Sequence, residues 1–217
     1  MINRLAAVAR SLPWPALLGG ALGCGAVTAL LAHQLSWPVL ARWPGLGALA
    51  LCIGAAFVLD DAAGAITGAT PCPLARRRLQ RVALALPLLA FAWAGSLWYT
   101  GSADPAWSGT TAQLGLTLQV GAMLALTLAG SAVALRAMPG ERGGWTGVLA
   151  LFALAGLTRA LPERWTLLAQ TGDPAWAAAQ FRWAALLAFG LLMLVAACRD
   201  AASGSAYRVR TPSGYGA

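Results

Sequence analysis

Lysine is absent from this chain, histidine occurs once, and acidic residues number seven in 217. Only 10% of residues are charged, where a soluble domain carries roughly 25%, so water cannot be the solvent for most of its surface. The single histidine, His33, excludes haem ligation through paired imidazoles, and no HExxH pair is present for an intramembrane metalloprotease. A GxxxxGK[ST] phosphate loop is also missing. No acid falls at mid-bilayer depth: Asp60 and Asp61 sit at a span end, Asp104 and Asp173 in outer loops, and Glu163 after the fifth apolar run. Proton- and sodium-coupled transporters generally carry such an embedded acid. The four cysteines (Cys24, Cys52, Cys72, Cys198) form no CxxC pair. Neither a disulfide framework nor a metal site is expected from them.

What is present is apolar. Hydrophobic residues make up 59% of the chain, and six runs approach the ~20 residues that cross ~30 Å of hydrocarbon. They cover residues 14–35, 44–59, 82–99, 111–135, 145–161 and 176–198. The second and fifth are the shortest. The pattern predicts an all-α polytopic membrane protein with six transmembrane helices over residues 14–198. Pro13 and Pro15 interrupt the start of the first run and no clean small-x-small cleavage site follows it, so it is expected to be retained as a span.

All fifteen basic residues are arginine, and their placement sets orientation. With the N-terminus inside, eleven fall on the cytoplasmic side: Arg4, Arg10, Arg76, Arg77, Arg78, Arg81, Arg136, Arg142, Arg199, Arg208 and Arg210. Four (Arg42, Arg159, Arg164, Arg182) fall outside. Alternate-loop clustering of this kind marks membrane orientation, not a nucleic-acid face. Most of the ten Trp residues, among them Trp14, Trp98, Trp145, Trp165 and Trp176, lie near run ends, as interfacial anchors do. Arg159 and Arg182 lie in apolar context near the outer face. They either snorkel to headgroups or line a pathway.

Ile2, Leu5, Val8, Ala9 and Leu12 recur at helical spacing with polar residues between them. Residues 1–13 therefore read as an amphipathic helix lying on the inner surface. The segment 199–217, rich in Gly, Ser and Ala, reads as a flexible cytoplasmic tail. The loop 60–81 is the most unusual stretch. Asp60 and Asp61 begin it and can cap a short helix through Ala62, Ala63 and Ile66. Thr70, Pro71 and Pro73 then stop that helix, and Arg76, Arg77, Arg78 and Arg81 lead into the third run. The arginines by themselves make it a topogenic loop in contact with lipid or a partner. The capped segment before them reads as a docking helix for a cytoplasmic protein.

The loop sequence LDDAAGAITGATPCPLARRRLQR resembles the segment after the second span in actinobacterial ABC-2-type permease subunits. The match covers about a tenth of the chain, and the remainder agrees in layout. The resemblance implies that residues 60–73 form the coupling helix that seats on an ATP-binding cassette ATPase subunit. It implies that 2–12 is the connecting helix. The chain would then be the permease subunit of an exporter of hydrophobic or amphipathic substrates in the bacterial cytoplasmic membrane, with both termini inside. It would not itself be an enzyme and would hold no cofactor. ATP and Mg would sit on the partner, and a second copy or a homologous half-permease would complete the pore. The alternative is a membrane anchoring, assembly or regulatory protein whose inner loop binds a partner other than an ATPase.

Overall fold

A computed structural model describes residues 8–33, 45–60, 74–103, 108–138, 142–162, 165, 167, 169 and 173–199. Among these residues the chain is helix and short connection, with no strand. Helix α1 is Trp14–His33, and α2 is Gly45–Ala56, tightening into a 3-10 turn at Phe57–Leu59. Leu74–Ala103 forms α3, Thr110–Ala137 α4, Gly144–Ala160 α5 and Trp176–Cys198 α6. Four of them, α1, α3, α4 and α6, are long and apolar enough to cross a membrane. The other two are shorter apolar helices. The 17 residues of α5 extend about 25 Å at 1.5 Å per residue.

The long helices turn large apolar side chains outward. Phe91 on α3 is 80% exposed and Phe181 on α6 77%. Exposure of this kind along helices of spanning length suits lipid and not water, and points to a membrane protein. Burial is unequal: 61% of α4 is covered by its neighbours, against 17–22% for the other three long helices. Helix α2 has no exposed residue at all. It is enclosed by α1, α3, α4 and α5. Protein, not lipid, surrounds this shortest helix, so its length is not set by bilayer thickness.

Two expectations shift. The third helix begins at Leu74 and not at residue 82, so Arg76, Arg77, Arg78 and Arg81 lie on its first two turns. Pro87 sits inside the same helix, which lipid-spanning helices tolerate where neighbours compensate for the lost N–H. The tryptophans also divide. Trp98, Trp145 and Trp165 are exposed near helix ends, whereas Trp183 and Trp93 are buried within the bundle. Trp183 Nε1 donates to Leu167 O at 2.8 Å and Trp93 Nε1 to Thr117 Oγ1 at 3.2 Å, so each buried ring satisfies its one donor.

Small residues set the helix spacing at two seams. Where α1 meets α2, a Cβ on Gly54 would stand 2.6 Å from Ala16 O and 2.9 Å from Gly20 Cα. A Cβ on Gly20 would stand 2.9 Å from Ala50 O. Where α4 meets α6, a Cβ on Gly190 would stand 3.0 Å from Ala125 Cβ. Backbone lies against backbone at Gly20 and Gly54, so nothing flexible is there to yield. Gly54→Leu is expected to destabilise the bundle by about 1–3 kcal/mol or more through overpacking. Gly19→Ala, at a position with nothing within 4 Å, should stay within about 0.5 kcal/mol of wild type. Thermal unfolding of the two variants in mild detergent checks the pair.

Candidate functional site

Each helix leaves its first N–H and last C=O groups without partners. At one end of this bundle they are closed by side chains from other helices. The 3-10 turn ends at Asp60, whose extended backbone (φ −66°, ψ 127°) turns its carbonyl off the helix axis. That carbonyl accepts from Arg81 Nη1 at 2.8 Å. Arg81, on α3, is 6% exposed, and its Nη2 donates to Ser11 Oγ at 3.1 Å. Ser11 lies just ahead of α1. The Asp60 carboxylate faces α5, where Gly144 N donates to its Oδ1 at 3.0 Å. Helix α5 has no side-chain cap from its own N-cap residue, Gly143. A carboxylate borrowed from the end of α2 takes that role.

Glycine makes this approach possible. A Cβ on Gly144 would enter the Phe57 ring, and one on Gly143 would stand 2.6 Å from Ser131 O. The Phe57 ring meets Trp145 edge-on at 5.6 Å between centroids. Just above, Ser131 Oγ lies 2.9 Å from Ala56 O and 3.1 Å from Thr127 O, tying α4 to the point where α2 tightens. On the far side of the same end, Arg78 Nη1 donates to Ala197 O at 3.2 Å and Arg136 Nη1 to Ala196 O at 2.7 Å. Two arginines from α3 and α4 thus close the last turn of α6, where cations favour the helix dipole.

These contacts bring together the start of α1, the end of α2, the start of α3, the end of α4, the start of α5 and the end of α6. Successive helices therefore alternate in direction. Arg10, Arg76, Arg77, Arg78, Arg81, Arg136, Arg142 and Arg199 all belong to this end. Comparison with protein-family models, with curated proteins and with solved structures finds no match.

Of the residues singled out in the sequence, the structure unites Asp60 with Arg81, whereas Arg78, on the same helix α3, reaches the end of α6 instead. Arg76 is exposed and Arg77 half-buried. Asp61, Ala62, Ala63, Ile66, Thr70, Pro71 and Pro73 lie outside the described residues. Arg159 falls in the last turn of α5, its side chain not among those described. Arg182 is at the opposite end, its guanidinium 5.3 Å from the centre of the Trp165 ring, a cation–π distance. At that end His33 Nε2 is 3.5 Å from Tyr99 Oη. Ser11, Gly143, Gly144 and the carbonyl-binding role of Arg136 were not anticipated. The Gly-Gly-Trp at 143–145 was their one local sign, a helix start without a cap of its own.

Burial pushes the Asp60 carboxyl up from its ordinary value, outweighing the N–H groups of Gly144 and Gly143 and the charges of Arg142 and Arg81. A raised value in the fold means that the folded state holds the proton more tightly. The resulting stability is present below the ordinary carboxylate pKa and is lost as pH rises through the folded-state value. Wild type should therefore lose stability on titration upward from about pH 4, relative to Asp60→Asn, which keeps an Oδ1 acceptor and cannot ionise. Thermal unfolding across the pH range reads the difference, and parallel curves would refute it. Arg81→Ala, which strips a donor from Asp60 O and Ser11, should cost about 1–3 kcal/mol at any pH.

Proposed function

We propose that this chain is the membrane-spanning subunit of an ABC-2-type exporter, with six spans, both termini in the cytoplasm, and energy supplied by a separate ATPase subunit. The observation that carries the reading is the node around Asp60. In sequence the segment 61–73 joins Asp60 to α3, and the described residues on both sides of it are tied. Asp60 is bonded to Arg81 and Gly144, and Arg81 to Ser11. A displacement of that segment by a docked ATPase would act on α1, α3 and α5 together. Such convergence is what a coupling element requires. ATP and Mg belong to the partner in this mechanism, and the chain holds no cofactor.

Two further features support it. Most of the described arginines (Arg10, Arg76, Arg77, Arg78, Arg81, Arg136, Arg142 and Arg199) gather at one end, the one that the positive-inside rule assigns to the cytoplasm. The interior of the single chain is packed by α2 and α4, so a pathway belongs between two copies or between this chain and a homologous half-permease. The substrate would be hydrophobic or amphipathic and would move along apolar helix faces. Arg182, half-buried beside Trp165, stands at the outer end of such a path.

The dense packing of α2 and α4 favours a second reading. A rigid bundle with its polar contacts at one end also suits an anchoring or assembly protein that holds a cytoplasmic partner other than an ATPase. Affinity purification of the tagged chain in mild detergent separates the two. The exporter reading expects an ATPase subunit carrying a phosphate loop to co-purify. Repeated recovery of the chain alone, or with a partner lacking that loop, overturns it. The topology is tested separately by reporter fusions. A fluorescent protein after Ala217 should fold and fluoresce, and alkaline phosphatase after Ser102 should be active, having been translocated. The opposite pattern would reverse the orientation.

A further inference from the structure

We propose that the corner where α3 begins and α4 and α6 end is a binding site for the phosphate headgroup of an anionic phospholipid. Arg78 and Arg136 reach the last turn of α6 from two different helices and bond to the adjacent carbonyls of Ala197 and Ala196. These bonds hold two guanidiniums beside one helix end. Each guanidinium has five N–H donors in a planar fork. One donor from each goes to a carbonyl, and the remaining edges suit the paired oxygens of a phosphate. Arg199, exposed, follows α6 at the same end and adds a third cation.

Like charges gathered in this way repel one another. A phosphodiester supplies the counter-charge. The apolar surroundings select a lipid over a free anion. Leu79, next to Arg78, is 70% exposed, and Leu192 on α6, about a turn before Ala196, is 71% exposed. Val195 is exposed beside it. Acyl chains would lie on these side chains while the headgroup meets the arginines, the arrangement expected of basic pockets between spanning helices. The inference needs the long helices to lie in a bilayer, but it does not depend on the exporter reading.

The experiment is thermal unfolding of the purified full chain in detergent with added phosphatidylglycerol, phosphatidylcholine or glycerol 3-phosphate. Phosphatidylglycerol should raise the wild-type Tm, by mass action on the folded state, and the other two should not. The double variant Arg78→Gln/Arg136→Gln should lose at least half of that specific rise, because the difference between lipids removes any effect of weakened helix closure. Arg10→Gln, which changes charge at the same end without touching α6, should retain it. Several outcomes overturn the proposal: equal shifts with both lipids, a full rise in the double variant, or an equal loss in Arg10→Gln, which would mean diffuse surface charge. An equal shift with glycerol 3-phosphate would mean a free-anion site. Should the double variant not survive purification, Arg136→Gln alone decides by native mass spectrometry. Fewer phosphatidylglycerol molecules retained per chain supports the site, and an unchanged number refutes it.

Discussion

Backbone groups at helix ends cannot be left unpaired in or near hydrocarbon, where each unsatisfied group costs several kcal/mol. This chain has little with which to cap its own helices. None of α4, α5 and α6 carries a side-chain hydrogen bond from its N-cap residue. Closure comes instead from residues distant in sequence: Asp60 on α5, Arg81 on the end of α2, and Arg78 and Arg136 on the end of α6. Each of these bonds joins two helices as well as satisfying one. The end where they gather is therefore the part of the bundle on which the relative placement of all six helices depends.

The interior obeys a different rule. Most of its hydroxyls return to their own helix: Thr28 to Cys24 O, Ser96 to Ala92 O, Thr100 to Ser96 O and Thr127 to Met123 O. Such bonds remove a polar group from the packing without linking helices. Ser131, shared between Thr127 O and Ala56 O, is a crossing contact and sits close to the arginine-rich end. Elsewhere the crossing contacts are few, among them Trp93 Nε1 to Thr117 Oγ1 and Cys24 Sγ with Ser96 Oγ, and close fit holds the helices through Gly20 against Gly54 and Gly190 against Ala125. Most of the described hydrogen bonds between helices thus lie at one end, and close packing dominates the rest. A cytoplasmic partner or a lipid headgroup would meet the molecule at that end.

Much of the architecture is legible in the sequence because lipid imposes a simple code. Apolar runs at 14–35, 111–135 and 176–198 correspond closely to α1, α4 and α6, since a helix in hydrocarbon must be apolar along its whole length. The start of α3 was hidden because Arg-rich residues read as a loop by composition, although arginine is a good helix former. The run at 44–59 looked marginal by length, and only packing explains it: α2 is sheltered by protein and need not match the bilayer. The site was half legible. Asp60 and Arg81 stood out as charges beside apolar runs. Ser11, Gly143 and Gly144 carry no such mark, because their importance lies in what approaches them.

By itself the sequence determined that the chain is helical and suited to lipid, and it segregated arginine to alternate connections. Composition and run length suffice for that, since they fix which solvent each segment can tolerate. Tertiary structure decided which helices are central, that Asp60 caps α5, and that Arg78 and Arg81, three residues apart on one helix, serve different neighbours. Those outcomes depend on the direction in which each side chain leaves its helix and on which backbone group lies within reach, and neither is written in the order of residues.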